Sequence, residues 1–190
     1  MRLRAGDLVS TPDLAVARHL LAAWDPPTLE QERTRDRILA FVDEHPQDAH
    51  RRTCLPGHLT ASALVLDARR ERALLTFHRK LGKWLQLGGH CDGDANLAGS
   101  ALREATEESG IAGLAIDPVP IDLDCHRIPA RKGEPEHWHL DTRFVVRAPA
   151  DAAPRISAES KALRWFGPSE LDSIETDDSV RRLFELAFRR

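Results

Sequence analysis

The sequence predicts an α/β sandwich behind a helical N-terminal extension, and three observations carry that prediction. Helix signals fill the first fifty residues, the texture turns to β near His58, and later strand-like segments are separated or followed by helices. In the extension, Thr11-Pro12 places a cap before a proline at the first helical position, ahead of Leu14, Val16, Leu20 and Leu21. Trp24-Asp25-Pro26-Pro27 ends that helix. A second is expected from Thr28, where Thr28 and Gln31 form a capping-box pattern, to Glu44-His45-Pro46. Leu59 to Leu66 reads as a buried strand, Asp67 to Arg72 as a charged turn and Ala73 to Phe77 as a return strand, together a hairpin. Ile121 to Ile128 and Trp138 to Val146 flank a polar loop, and Leu163 to Phe166 is a short last strand. Helices are expected over Leu97 to Ser109 and from Ser179 onward.

Bulk properties narrow the function. The chain has 190 residues, enough for one substantial core. With 27 Lys+Arg against 30 Asp+Glu, its net charge of −3 lacks the basic excess of a duplex-binding domain. Nucleic acid is therefore not an expected partner. No stretch approaches a membrane span, and MRLRAGDLVSTPDL lacks the apolar core of a signal peptide. Cys54, Cys91 and Cys125 are odd in number and far apart, which suits a reducing compartment; a cytoplasmic location is expected.

The chemistry lies in Gly88-Gly89-His90-Cys91-Asp92-Gly93-Asp94, read as a glycine-rich acidic loop, and the helix after it. Asn96 is a good N-cap and Gly110 a good stop, while Leu97, Ala101, Leu102 and Ala105 supply the packing side. Glu104, Glu107 and Glu108 stand at i, i+3 and i+4 and share one face. Like charges so placed destabilise a helix unless a cation compensates, and hard oxygens suit Mg²⁺ or Mn²⁺. Alone, the cluster reads rather as an ordinary solvated face partly neutralised by Arg103.

The context decides between these. Gly89 through Ile111, closing with Arg103-Glu104-Ala105-Thr106-Glu107-Glu108-Ser109-Gly110-Ile111, resembles the Nudix box. Ala105 stands for the usual larger aliphatic residue, and Ala95 stands where the box has its first glutamate. The resemblance implies a Nudix-type α/β/α sandwich with a mixed sheet over residues 56–190, with residues 1–55 as the extension. It implies a Mg²⁺- or Mn²⁺-dependent hydrolase that cleaves the phosphoanhydride of a nucleoside diphosphate linked to another moiety. Its metal ligands would be Glu107, Glu108, Glu104 and the Gly88 carbonyl. Glu104 would alternatively help activate water, and Arg103 would orient the glutamates. The alternative is a non-catalytic nucleotide-binding module, with Ala95 as the mark of decay. A glutamate restored at Ala95 is expected to retune metal affinity or preference. The chain has no tyrosine, so a tyrosine marker of dinucleoside-polyphosphate specificity is absent. The expected partner is a small nucleotide-like molecule, with a second copy of the chain as a possible protein partner.

Two further groups are candidates for substrate binding. His78, Arg79 and Lys80 end the return strand, with Lys83 nearby. His137, His139 and Asp141 alternate on one face of a strand, with His126 on the neighbouring segment. This set could bind substrate, a transition metal or a proton, or form a hydrogen-bonded framework; it is expected to line the same cleft as the box helix. His58 and His90 are each weak signals on their own.

Overall fold

The computed structural model describes residues 1–79, 81–131, 133–156 and 162–189. The extension contains α1 (Leu14–Ala23) and α2 (Leu29–Glu44). Eight strands follow, β1 (Gly57–Leu66), β2 (Ala73–His78), β3 (Lys83–Leu85), β4 (Leu87–His90), β5 (Ala115–Ile116), β6 (Asp122–Ile128), β7 (His137–Arg147) and β8 (Leu163–Phe166). Between β4 and β5 runs α3 (Leu97–Ser109), and α4 (Asp178–Arg189) comes last.

Strands β1 and β7 form the centre of a mixed sheet, paired in parallel along their length from Gly57↔Trp138 to Leu66↔Arg147. The other edge of β1 is shared: β2 pairs antiparallel at Val65 and Leu66, and β4 takes over from Thr60 to Ala63. In the same way β7 carries β6 along Asp122 to Ile128 and β5 beside Val146 and Arg147. The expected β1–β2 hairpin is present. Strand alternation then divides the core. Leu59, Ala61, Ala63 and Val65 face α1, α2 and α3, whereas Leu64 and Leu66 face Val180, Leu183 and Phe184 of α4. Helices thus cover both faces, as the predicted sandwich requires.

Several details differ from expectation. Asp13, not Thr11, caps α1, its carboxylate accepting the Ala15 amide. Thr28 caps α2 by accepting the Gln31 amide, yet the Gln31 side chain does not return to the helix start. It is buried and binds the Leu123 backbone twice, donating from Nε2 to the carbonyl at 3.0 Å and accepting the amide at Oε1 at 2.9 Å. Tertiary pairing with β6 outcompetes the local box. Trp24 likewise donates from Nε1 to the Pro120 carbonyl at 2.8 Å. Leu14, Ala17, Leu21, Ile38 and Val42 belong to one cluster with Leu59 and Ala61, so the extension and the sheet share a hydrophobic core. Gly88 to His90, expected as loop, are strand β4. No described helix is long and apolar enough to cross a membrane.

Candidate active site

Helix α3 has the caps its sequence announces. Asn96 accepts the Gly99 amide at 3.0 Å, and Gly110 ends the helix with φ +64°, a conformation that glycine adopts without a Cβ penalty. Leu97, Ala98, Ala101, Leu102 and Ala105 are buried against the sheet. The short side chain of Ala105 is fully enclosed in the core. That packing turns the glutamates toward β4.

There two of the three carboxylates, Glu104 and Glu108, meet the glycine pair. Glu108 Oε2 accepts the Gly88 amide at 3.2 Å. A Cβ added at Gly89 would lie 2.6 Å from Glu104 Oε2, and one at Gly88 would lie 2.3 Å from Ser62 Cβ. Gly88 is therefore required by close approach to the neighbouring strand, whereas a side chain at Gly89 would push the Glu104 carboxylate aside. Arg103 ties the group together. Its Nη1 donates to Glu104 at 2.7 Å and Glu107 at 3.2 Å, and its Nη2 donates to the His90 carbonyl at 2.8 Å. Burial opposes the guanidinium charge, but Glu104 and Glu107 more than offset it and raise the Arg103 pKa. Burial also pushes the Glu104 carboxyl above its ordinary range against the pull of Arg103. Glu107 is the open member, with 61% of its side chain exposed.

Ala95 is fully buried, its amide donating to the Thr11 carbonyl at 2.6 Å. Asp94 accepts the Thr11 and Asn96 amides. Asp92 pairs with Arg52 at 2.7 Å. The N-terminal segment therefore occupies the side of the box where its first glutamate would stand.

The second expected group assembles far more extensively than one strand suggests. Across β6, β7 and β1, His126 pairs with His139 and His139 with His58. The next row is Asp124, Asp141 and Thr60, with His90 beyond Thr60 on β4, and the third is Asp122, Arg143 and Ser62, followed by Gly88. These rows share the sheet face on which α4 packs over Leu64 and Leu66, with Arg182 of α4 reaching Asp122. The rings of His58, His90 and His139 approach one another with centroids 4.9 to 5.0 Å apart. His137 stacks on His58 at 5.1 Å, and His126 lies edge-on to His139 at 5.4 Å.

The electrostatics of the face divide in two. Burial, with Arg52 next, lowers the His90 pKa to about 4, and burial with the surrounding imidazoles lowers that of His139 to about 2. His126 goes the other way, raised by its 2.8 Å contact with Asp124. Burial works against the Asp124 charge, yet His126 and Arg143 hold its pKa down to about 2. Arg143, with 2% of its side chain exposed, reaches Asp141 at 3.0 Å, Asp124 at 3.1 Å and Asp122 at 3.2 Å. Asp141 also accepts from Thr60 and Ser62. It is thus framework for the face, whereas His139 has a buried Nε2 without a hydrogen-bond partner among the described residues.

His58, His90, Asp122, Asp124 and Arg143 are the residues that sequence reading underweighted or missed. A signal was available in period two: His58-x-Thr60-x-Ser62 and Asp122-x-Asp124-x-His126 repeat the polar alternation of His137-x-His139-x-Asp141. His78 and Arg79 lie at the turn from β2 to β3, half-buried and exposed respectively, with His78 Nδ1 accepting the Leu81 amide at 3.2 Å. Lys80 lies outside the described residues.

Comparison with known proteins gives the same segment a family context. The family model for the NUDIX domain matches residues 56–186. A NUDIX-family hydrolase from Clostridium perfringens is similar in structure at a TM-score of 0.55 and 23% identity, over 70% of this chain and 96% of that one. The MutT protein of Methanosarcina mazei Go1 is similar at a TM-score of 0.50 and 25% identity, over 70% of this chain and 94% of its own. In sequence, an octanoyltransferase of Myxococcus xanthus is 29% identical over 134 residues, 67% of this chain. The matched region spans only 36% of that curated relative.

Proposed function

We propose, on the premise that this chain belongs to the Nudix family and is a Nudix hydrolase, that it uses Mg²⁺ or Mn²⁺ to cleave the phosphoanhydride of a nucleoside diphosphate linked to another moiety. The observation that carries this reading is the approach of Glu104 and Glu108 to the Gly88-Gly89 backbone, with Arg103 joining Glu104 to Glu107 on the same helix face. The donor set fits a hard divalent cation: it is all oxygen, it is one-sided, and the charge of Arg103 offsets only part of it. Glu107 and Glu108 would hold the cation together with the Gly88 carbonyl, and Glu104 is the third carboxylate of that face. When bound, the cation stabilises charge on the phosphoryl oxygens and makes a water acidic enough to ionise near neutral pH.

The remaining work falls to the chain's own groups. Arg103 fixes the carboxylates through its fork to Glu104 and Glu107 and anchors itself on the His90 carbonyl, so it is a positioning residue. Glu104, close to Gly89, would also take a proton from the attacking water. His78 and Arg79 at the β2–β3 turn supply cationic or hydrogen-bonding groups for the phosphates. His137, half-buried with Nδ1 bound to the Pro135 carbonyl, would offer Nε2 to the substrate. The three free cysteines are in keeping with cytoplasmic residence.

A panel of nucleoside-diphosphate derivatives assayed with Mg²⁺ and with Mn²⁺ tests the reading. Glu107→Gln and Glu108→Gln are each expected to lower turnover at least about a hundredfold, with an unchanged circular-dichroism spectrum. Full turnover by either variant, or by the wild type in excess chelator, would sink the mechanism. A wild type that binds nucleotides but hydrolyses none of them would instead favour the binding-module reading.

A further inference from the structure

We propose that His58, His90 and His139 form a second metal site, chemically distinct from the glutamate face, that takes a borderline transition ion of the Zn²⁺ type. The three come from β1, β4 and β7, and each offers a ring nitrogen such that all three atoms lie within 4.8 Å of one another. Tetrahedral Zn²⁺ with Zn–N bonds of about 2.0–2.1 Å needs ligand nitrogens about 3.3–3.4 Å apart. The rings therefore have to close by no more than about 1.5 Å, a distance within reach of small side-chain rotations.

A stacked structural cluster accounts for the observations less well. Framework histidines bind their neighbours, and the two flanking rings do so: His126 Nδ1 contacts Asp124 and His137 Nδ1 contacts the Pro135 carbonyl. Among the described residues, the buried nitrogens of His58 and His139 do not. His58 is 4% exposed, and neither of its ring nitrogens has a hydrogen-bond partner of good geometry, although the Cys54 carbonyl lies near enough to favour a proton on the ring. His139 Nε2 is buried and equally unpartnered. Buried polar atoms are seldom left so, and a bound ion is among the standard ways in which they are satisfied.

Ligand chemistry names the class of ion. Three imidazoles suit Zn²⁺, Co²⁺ or Ni²⁺, whereas Mg²⁺ prefers the carboxylates of α3. Three protein ligands leave a fourth position, to be filled by water or by a substrate oxygen. The site also touches the box. The His90 carbonyl accepts from Arg103, so an ion on the His90 ring would stiffen the residue on which the box arginine rests. The proposal goes beyond the hydrolase reading and stands without it.

The full chain, stripped with chelator and titrated with Zn²⁺ in a large excess of Mg²⁺, provides the test. One equivalent is expected to bind tightly to the wild type and to Glu107→Gln alike, and X-ray absorption at the zinc edge should show three imidazole nitrogens. His58→Ala and His139→Asn should weaken that binding by more than about a hundredfold, beyond the loss typical of an outer-shell partner. No retained Zn²⁺, an oxygen-only coordination shell, or a stoichiometry lost in Glu107→Gln but kept in the histidine variants would overturn the proposal. Should a histidine variant fail to fold, the absorption spectrum of the wild type decides alone. Failure of the hydrolase reading would leave this binding untouched, so the two are distinguishable.

Discussion

Replacing Arg143 by leucine should be among the most damaging single changes outside the glutamate face. The guanidinium is 2% exposed and serves three carboxylates, of which Asp122 is fully buried and Asp141 nearly so. Arg182 would still reach Asp122 at 2.9 Å, and His126 would still reach Asp124. Asp141 would keep only the hydroxyls of Thr60 and Ser62. Removing one partner of a buried charge network typically costs about 3–5 kcal/mol, because the other charges stay buried without compensation. At about 2–4 °C per kcal/mol for a chain of this size, the melting temperature should fall by about 6–20 °C. The deficit should also depend on pH. Asp124, whose folded pKa of about 2 lies below its ordinary value of 3.8, contributes stability that is present above the ordinary value and lost as pH falls from about 4 toward 2. Arg143 supplies part of that contribution, so urea unfolding should show the gap between wild type and variant narrowing across this window. A variant within about 1 kcal/mol of the wild type at pH 7, or a gap indifferent to acid, would refute the reasoning.

Other predictions follow from single contacts. Gly88→Ala should push β4 away from β1, because its Cβ would lie 2.3 Å from Ser62 Cβ and 2.5 Å from Ser62 Cα; the joint measurement is turnover and melting temperature, and no change in either counts against the site geometry. Ala95→Glu should cost at least about 3 kcal/mol in urea unfolding and create no activity, since the position is fully buried beneath Thr11. A variant of wild-type stability with an altered Mg²⁺/Mn²⁺ preference would restore the expectation drawn from the box pattern alone. Gln31→Leu should cost about 1–3 kcal/mol for each Leu123 backbone group left buried and unpaired, and should speed hydrogen exchange at the Leu123 amide. Unaltered exchange there would mean that α2 docks by its apolar contacts alone.

What was legible in the sequence was the part whose causes are local. Helix α3 runs over the residues expected because an Asn cap, a glycine stop and an apolar stripe act within a few residues of one another. Strand β8 is likewise as read. What escaped depends on residues distant in the chain. Leu87-Gly-Gly-His has no alternation to mark a strand, and its extended pairing exists because Ser62 leaves room for a glycine and for nothing larger. Gln31 matched a capping pattern, but the backbone of Leu123, 92 residues away, made the better partner. Ala95 departs from the box pattern in sequence, but that the position is fully buried, with its amide bound to the Thr11 carbonyl, depends on an extension 84 residues away.

The histidine face shows how such distant causes compound. Each of its three main strands carries polar residues two apart, a pattern compatible with simple exposure, so none alone distinguishes a site from a wet surface. Register supplies the missing information. The parallel pairing sets His58 beside His139, the antiparallel pairing sets His126 on the other side, and β4 adds His90 one row on. A one-residue slip of β7 would turn His137, His139 and Asp141 to the opposite face and bring Trp138 and Leu140 into the polar rows. The buried Arg143–Asp122–Asp124–Asp141 network opposes such a slip, because it would leave those charges without their partners. The same ion pairs that hold the sheet in register therefore hold the imidazoles together, so Arg143→Leu should loosen the histidine cluster and weaken Zn²⁺ binding even though Arg143 is not a ligand.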